Sequence, residues 1–267
     1  VQLIMNTIMT VCVSIFLYQN CKNVFVGMFF FLIIQWLYFS TEVMRESVAI
    51  GIFLLNFKNI EKKRWIRYYL FSILSLSFHY SAILIWFIPF AKYLRVNWLY
   101  IIGCIGMLSV TPLVENLNNM IHLGVVSSKI STYVNQADVG TIFWRIGEFI
   151  KTGIPALLCL VLYYFARKKN ILQPYILLQF MFCCGAFAIP IIFQRFTNYT
   201  TLFVTVALAN YVTDKKIAFP LRATLIGVIC ITQSYYYYSM VHTWIPYESI
   251  FDPVKVPKRE EFNRIIW

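Results

Sequence analysis

Charge is scarce in this chain. Asp, Glu, Lys and Arg make up 13% of its 267 residues, about half the share found in soluble domains. So few charges cannot solvate a globule of this length, which excludes a water-soluble domain of any size. Acids are scarcer still, with 11 Asp and Glu in all. Neither HExxH nor DxD occurs, and the three histidines (79, 122 and 242) are far apart. No metal-ligand cluster is legible, and no cofactor is expected. The seven cysteines show neither CxxC spacing nor a pairing pattern. Cys104, Cys159, Cys183, Cys184 and Cys230 lie in apolar runs and are read as small buried residues. The roughly ten-residue apolar/polar alternation of a membrane β-barrel is missing too. So is a signal peptide's charged front end, because Val1 falls within an apolar run. We therefore expect further sequence before Val1. No internal repeat or low-complexity linker is visible.

What remains is apolar sequence: 60% hydrophobic residues and a mean hydropathy of +0.69. Runs such as VFVGMFFFLIIQWLYF and IPALLCLVLYYF are continuous, which favours helices over strands. The expected fold is all-α, a polytopic transmembrane helix bundle forming one integral-membrane domain over residues 1–267. The net charge of +12 arises from short clusters between apolar segments, which read as topology signals and not as a nucleic-acid footprint. The clusters are 58–67, then Lys92 with Arg95, then 167–169, then Lys215, Lys216 and Arg222.

With all four clusters in the cytoplasm, the chain must cross an even number of times between them. The stretch YYLFSILSLSFHYSAILIWFIPFA then has to return, as two short helices meeting near His79. Each arm reaches about 20 Å, short of the roughly 30 Å hydrocarbon core, so a re-entrant-like hairpin is expected. About ten segments result: 1–18, 24–40, 43–57, 66–78, 80–93, 98–112, 146–165, 172–191, 197–212 and 221–239. An external loop at about 113–144 and an external tail at about 240–267 complete the layout. Helical spacing of Leu117, Met120, Ile121 and Val125 in the loop suggests an amphipathic helix on the outer surface. Only Glu61 and Asp214 among the 11 acids then face inward.

Polar residues that lipid should have removed collect at the outer level. In STEVMRESVAIGIFLL, Arg45 stands near the outer end of its helix, with Glu42 three residues before it and Glu46 beside it. His79, next to Tyr80 and Ser81, arrives at the same level from the hairpin tip. Arg195 arrives from the outer end of a later segment, and Arg145 closes the external loop with Glu148 one turn below. Snorkelling to the interface and a plain Arg–Glu bridge are the bland explanations. Several arginines at one level point instead to an anionic ligand, because ionisable groups in spanning segments usually line a substrate path. Arginine suits phosphate, since its planar fork binds two oxygens and stays charged. It would stabilise a pyrophosphate leaving group, while a histidine or carboxylate takes the proton of an attacking hydroxyl. In the tail, YYYYSMVHTWIPYESIFDP reads either as an interfacial aromatic belt or as a platform for sugar rings. Pro246 and Tyr247 would fold it over the outer mouth.

The block MRESVAIGIFLLNFKNIEKKRWIRYYLFSILSLSFHYSAILIWFIPF, with WIPYESIF near the end, resembles the EpsG family of Wzy-like bacterial polysaccharide polymerases. That family shows Arg-Gln before its apolar helix, where this chain has Arg45 and Glu46. A carboxylate there would compete with phosphate for Arg45. The resemblance implies a GT-C-like, metal-independent glycosyltransferase in the bacterial cytoplasmic membrane. It would join oligosaccharide repeat units carried on undecaprenyl pyrophosphate at the outer leaflet, for exopolysaccharide, capsule or O-antigen. Carried over, Arg45 and Arg195 would bind pyrophosphate and His79 would position or deprotonate the acceptor. Glu42, Glu46, Tyr80, Arg145 and Tyr247 are the expected substrate contacts. The implied partners are the lipid-linked oligosaccharide, the bilayer, and the flippase and chain-length regulator of such a pathway. Three rivals stay open at this point: a flippase of lipid-linked saccharides, a membrane acyltransferase modifying polysaccharide, and a structural member of a synthesis complex.

Overall fold

A computed structural model of the chain describes residues 2–41, 43–108, 146–147, 149–166, 172–188 and 190–244. The described residues are overwhelmingly helical and contain no strand, as the continuous apolar runs required. In order they form α1 (Gln2–Asn20), α2 (Val24–Phe31), a first π-helical turn (Leu32–Trp36), α3 (Leu37–Thr41), α4 (Met44–Glu61) and α5 (Trp65–Phe78). Two 3₁₀ segments follow (Tyr80–Trp86 and Ile88–Tyr93), then α6 (Trp98–Leu108). The second half comprises a second π turn (Phe149–Gly153), α7 (Ile154–Ala166), α8 (Gln173–Ala188), α9 (Pro190–Thr213) and α10 (Phe219–Trp244). The expected surface helix near Leu117 and the external loop and tail beyond residue 244 lie outside the described residues.

Each boundary has a local cause. Asn23 caps α2 by accepting the N–H groups of Phe25 and Val26, as short polar side chains do at helix starts. The basic cluster after α4 makes a tight turn through Lys63, whose φ of 54° is left-handed. It lets Arg64 N–H bond back to Asn59 O at 2.8 Å. On α4 itself, Gly51 faces α1. A Cβ added there would sit 2.9 Å from Cys12 Cβ, so the close α1–α4 approach depends on its absence.

The hairpin around His79 exists, but its second arm is not the α-helix expected over 80–93. It is the pair of 3₁₀ segments, broken at Phe87 and carrying Pro89 near the start of the second. Proline removes a helix donor and clashes with the preceding turn. The arms nevertheless run antiparallel. Tyr68 OH donates to Ile85 O, and the Lys92 ammonium lies 5.3 Å from the Trp65 ring centroid. The chain thus returns to the level of the basic turn it left. At 14 residues, α5 rises about 21 Å. A second difference concerns α9, which begins at Pro190 and not at residue 197. Arg195 is therefore within the second turn of a helix and not in a connection.

α9 is the axis of the bundle. Its residues Leu202, Phe203, Val204, Val206, Ala207 and Leu208 are all fully buried, the pattern of a helix enclosed on every side. On one flank Phe203 meets Phe57 and Tyr175, each at 4.8 Å between ring centroids. On the other it packs Val204 and Ala207 against Ala156, Cys159, Leu177 and Ile229. At the end of α9 remote from Arg195, Lys22 forms an ion pair with Asp214 at 3.3 Å, and its N–H bonds Asn210 Oδ1 at 2.7 Å. The outward faces are greasy: Leu99, Ile101, Ile102 and Ile105 of α6 are all more than half exposed, as lipid-facing side chains are. By length and composition α1 can cross a membrane, and Val24–Ser40, Trp98–Met107 and Phe149–Tyr164 are shorter apolar helices.

Candidate active site at the hairpin tip

α5 ends at His79, whose extended backbone (φ −154°, ψ 132°) breaks the helix before the 3₁₀ segment starts. The break brings an imidazole, a serine and a tyrosine to one point. On one side of the ring, Nδ1 lies 2.6 Å from Ser81 Oγ. On the other, Nε2 lies 3.0 Å from Arg195 Nη1. A guanidinium can only donate, so Nε2 accepts, while Nδ1 faces both the hydroxyl and, at 3.3 Å, the backbone N–H of Ser81. Ser81 Oγ is in turn 3.0 Å from Tyr199 OH, one turn along α9 from Arg195. Tyr80 stacks on the imidazole with 4.6 Å between centroids, and its exposed ring lies 5.4 Å from the Arg195 guanidinium carbon.

Glu46 enters from the first turn of α4. It is 1% exposed; its Oε1 accepts from Asn198 Nδ2 at 3.4 Å, and its Oε2 stands 4.0 Å from Arg195 Nη1. Oε2 has no hydrogen-bond partner among the described residues. The guanidinium is thus held on one edge by an imidazole and a carboxylate. Its side chain is still 29% exposed, and its other N–H groups meet no partner among the described residues. Arg45, on the exposed side of α4, is close enough to His79 to act on it electrostatically. The arrangement is a cationic fork, pinned from behind and open in front.

Of the residues expected at the site, Arg45, Glu46, His79, Tyr80 and Arg195 meet here. Glu42, Arg145 and Tyr247 lie outside the described residues, as does Glu148. Sequence reasoning missed Asn198 and Tyr199, although the signal was present. In QRFTNYTT the polar residues 194, 197, 198 and 201 recur at helical spacing on the helix that carries Arg195. It also missed Lys151, a buried cation in EFIKTGIPALL. Among the described residues no three His, Cys, Asp or Glu side chains converge as a metal site would require.

One family model matches the sequence over residues 1–249, that of the EpsG family. The chain belongs to the EpsG family. No curated protein and no solved structure matches it. Membership indicates a role in polysaccharide biosynthesis of the polymerase kind, in a membrane setting. In this EpsG-family chain the matched region contains every described residue of the site, from Glu46 to Tyr199.

Proposed function

We propose that this protein is a multi-pass glycosyltransferase of the bacterial cytoplasmic membrane. It joins oligosaccharide repeat units, carried on a polyprenyl pyrophosphate such as undecaprenyl pyrophosphate, at the outer face. The observation that carries this reading is the Arg195 fork, fixed by His79 and Glu46 on one edge, with the Tyr80 ring beside it and Arg45 near His79. A pyrophosphate needs two oxygens gripped and its developing charge stabilised in a partly dry site. Arg195 supplies the grip, Arg45 adds charge, and the exposed face of Tyr80 suits the first sugar ring.

In the reaction, a hydroxyl oxygen of one repeat unit attacks the anomeric carbon of the other. The carbon–oxygen bond to phosphate breaks, and polyprenyl pyrophosphate departs with the electron pair. The hydroxyl proton must go to a base. His79 Nε2 is engaged by Arg195 in the free protein. When a pyrophosphate draws the Arg195 fork outward, that lone pair is released and accepts the proton. Ser81 and Tyr199 hold the imidazole in position, and Glu46 with Asn198 keeps Arg195 from leaving the site altogether. Donor binding thereby uncovers the base.

The test is incubation of the purified protein, in lipid vesicles, with a polyprenyl-pyrophosphate-linked repeat unit. A ladder of longer saccharides is expected, lost in Arg195→Ala and in His79→Ala. Translocation without bond formation would make the protein a flippase and sink the reading. Transfer of an acyl group would sink it equally.

A further inference from the structure

The hairpin carries His79 at one end and a dense basic turn at the other. Lys62, Lys63, Arg64 and Arg67 follow closely on one another there, and all are exposed. None of the four side chains has an ion pair or hydrogen bond among the described residues. Glu61, which ends α4 just before them, acts electrostatically on Tyr175 of α8 and pairs with none of them. Lys63 is moreover held at a left-handed φ of 54°, where a glycine would be free of strain. Positive charge is concentrated here and kept at some cost to the backbone.

Between these cations the surface is concave. Lys63, Arg64, Trp65, Ile66 and Arg67 line an open cleft of about 530 Å³, within the size range of small-ligand sites. Two apolar stripes lead from this end toward the hairpin tip. On α5, Ile66, Leu70 and Ile73 recur at helical spacing, and all are more than half exposed. On the returning arm, Tyr93, Phe90 and Phe87 are more than half exposed as well. Their spacing of three matches the three residues per turn of a 3₁₀ segment, which sets them in one row. Lys92 ties the arms together at the basic end. Its ammonium lies 5.3 Å from the Trp65 ring centroid and 4.8 Å from that of Tyr93.

We propose that the basic turn and the two stripes form a binding site for one anionic, two-chain phospholipid of the surrounding bilayer. Its phosphate group lies in the cleft, where Arg64 and Arg67 each offer a planar fork for phosphate oxygens and Lys63 adds charge. One acyl chain runs along Ile66, Leu70 and Ile73, and the other along Tyr93, Phe90 and Phe87. A soluble anion or an acidic protein would answer the cations and leave both stripes bare. A neutral phospholipid would cover the stripes and leave the cations without a counter-charge. The combination calls for a ligand that carries both an anion and two chains. The site lies at the far end of the hairpin from His79 and Arg195, and it does not depend on the polymerase reading.

The experiment titrates the purified full chain in detergent with defined lipids and counts bound copies by native mass spectrometry. The probe is dioleoyl phosphatidylglycerol, with dioleoyl phosphatidylcholine as the neutral comparison. Each cation near a membrane surface strengthens binding of anionic lipid about 5-fold. The first phosphatidylglycerol should therefore bind the wild type at least about 10-fold tighter than phosphatidylcholine does. Arg64→Gln with Arg67→Gln should weaken that first equivalent about 25-fold and abolish the preference. Arg64→Lys with Arg67→Lys keeps the charge and should keep the preference, which separates lost charge from lost folding. Lys215→Gln with Lys216→Gln removes as much charge from another exposed turn and should leave binding unchanged. Lysophosphatidylglycerol, with a single chain, should bind more weakly than the two-chain lipid, and soluble glycerol phosphate should not displace it. Equal affinity for phosphatidylcholine overturns the proposal, as does loss of the preference in the lysine pair. An equal loss in the Lys215 and Lys216 variant would reduce the effect to net charge and overturn it too. So would equal binding of the lysolipid, displacement by glycerol phosphate, or tighter binding of a polyglutamate peptide than of the lipid.

Discussion

Replacing Arg195 by alanine should separate the folding role of its charge from its catalytic role. The Arg195 Nη1–Glu46 Oε2 distance of 4.0 Å corresponds to about 4 kcal/mol of attraction at an effective dielectric of about 20. The carboxylate is 1% exposed, so removing the guanidinium leaves an uncompensated buried charge, which typically costs about 3–5 kcal/mol. Asn198 still donates to Oε1, so the lower end of that range is expected, about 3 kcal/mol. The second change, Glu46→Gln, removes the stranded charge and keeps the shape. Arg195→Ala should therefore lose both thermal stability and activity, and Arg195→Ala with Glu46→Gln should regain most of the stability. Activity should stay down by about 10²–10³-fold in both, because the donor fork aimed at the leaving group is gone. The assays are thermal unfolding in detergent and product-ladder formation from a lipid-linked repeat unit. The reasoning is refuted if the double variant recovers polymerisation, or if Arg195→Ala unfolds no earlier than the parent.

Further outcomes follow from the same contacts. Tyr199→Phe removes the hydroxyl near Ser81 Oγ and should lower kcat about 10-fold, a loss of about 1.4 kcal/mol; KM should hold, and a raised KM would place Tyr199 at the substrate. His79→Gln should retain binding of a polyprenyl pyrophosphate while abolishing the ladder; ladder formation in that variant would remove His79 as the base. Gly51→Val forces a side chain into the 2.9 Å approach to Cys12 and should destabilise by about 1–3 kcal/mol through overpacking, read as a lower unfolding temperature. Tyr68→Phe should loosen the hairpin by about 1 kcal/mol, seen as faster amide exchange at the 3₁₀ segments.

Helices were legible because lipid tolerates little else. Continuous apolar runs such as that of α4 predict themselves, since backbone groups out of water must bond within the segment. Their internal form was not legible. The pattern ILIWFIPF reads as an α-helix until Pro89 is weighed, and the run LIIQW gives no hint of a π turn, because both helix types bury the same residues. At the site, Arg45, His79 and Arg195 stood out as charges in apolar surroundings. Asn198 and Tyr199 did not, because neutral polar residues are common enough in membrane helices to pass unnoticed. The partnership of Arg195 with Glu46 spans about 150 positions in the chain, and no periodicity encodes that separation. Lys151 was visible as a letter but was assigned no role; only packing shows that it is buried between two rings.

The location of the site follows from an interrupted helix. A continuous helix consumes its own backbone hydrogen bonds and turns only side chains outward. At His79 the α-helix ends in an extended residue, and the chain resumes as a tighter 3₁₀ segment. Backbone groups released from a helix need other partners or cover when they are buried. Here α9 provides the cover: Tyr199 sits against Ser81 on one side of the break, and Arg195 reaches His79 on the other. The same residues that shelter the break therefore build the anion fork. This coupling has a measurable consequence. Ser81→Ala should loosen the hairpin tip and reduce activity together, because the serine is the shared neighbour of His79 Nδ1 and Tyr199 OH. Ser81→Thr keeps the hydroxyl and should restore both. If Ser81→Ala raised amide exchange around His79 yet left kcat intact, the hydroxyl would be a structural pin alone. The orientation of His79 would then need another support.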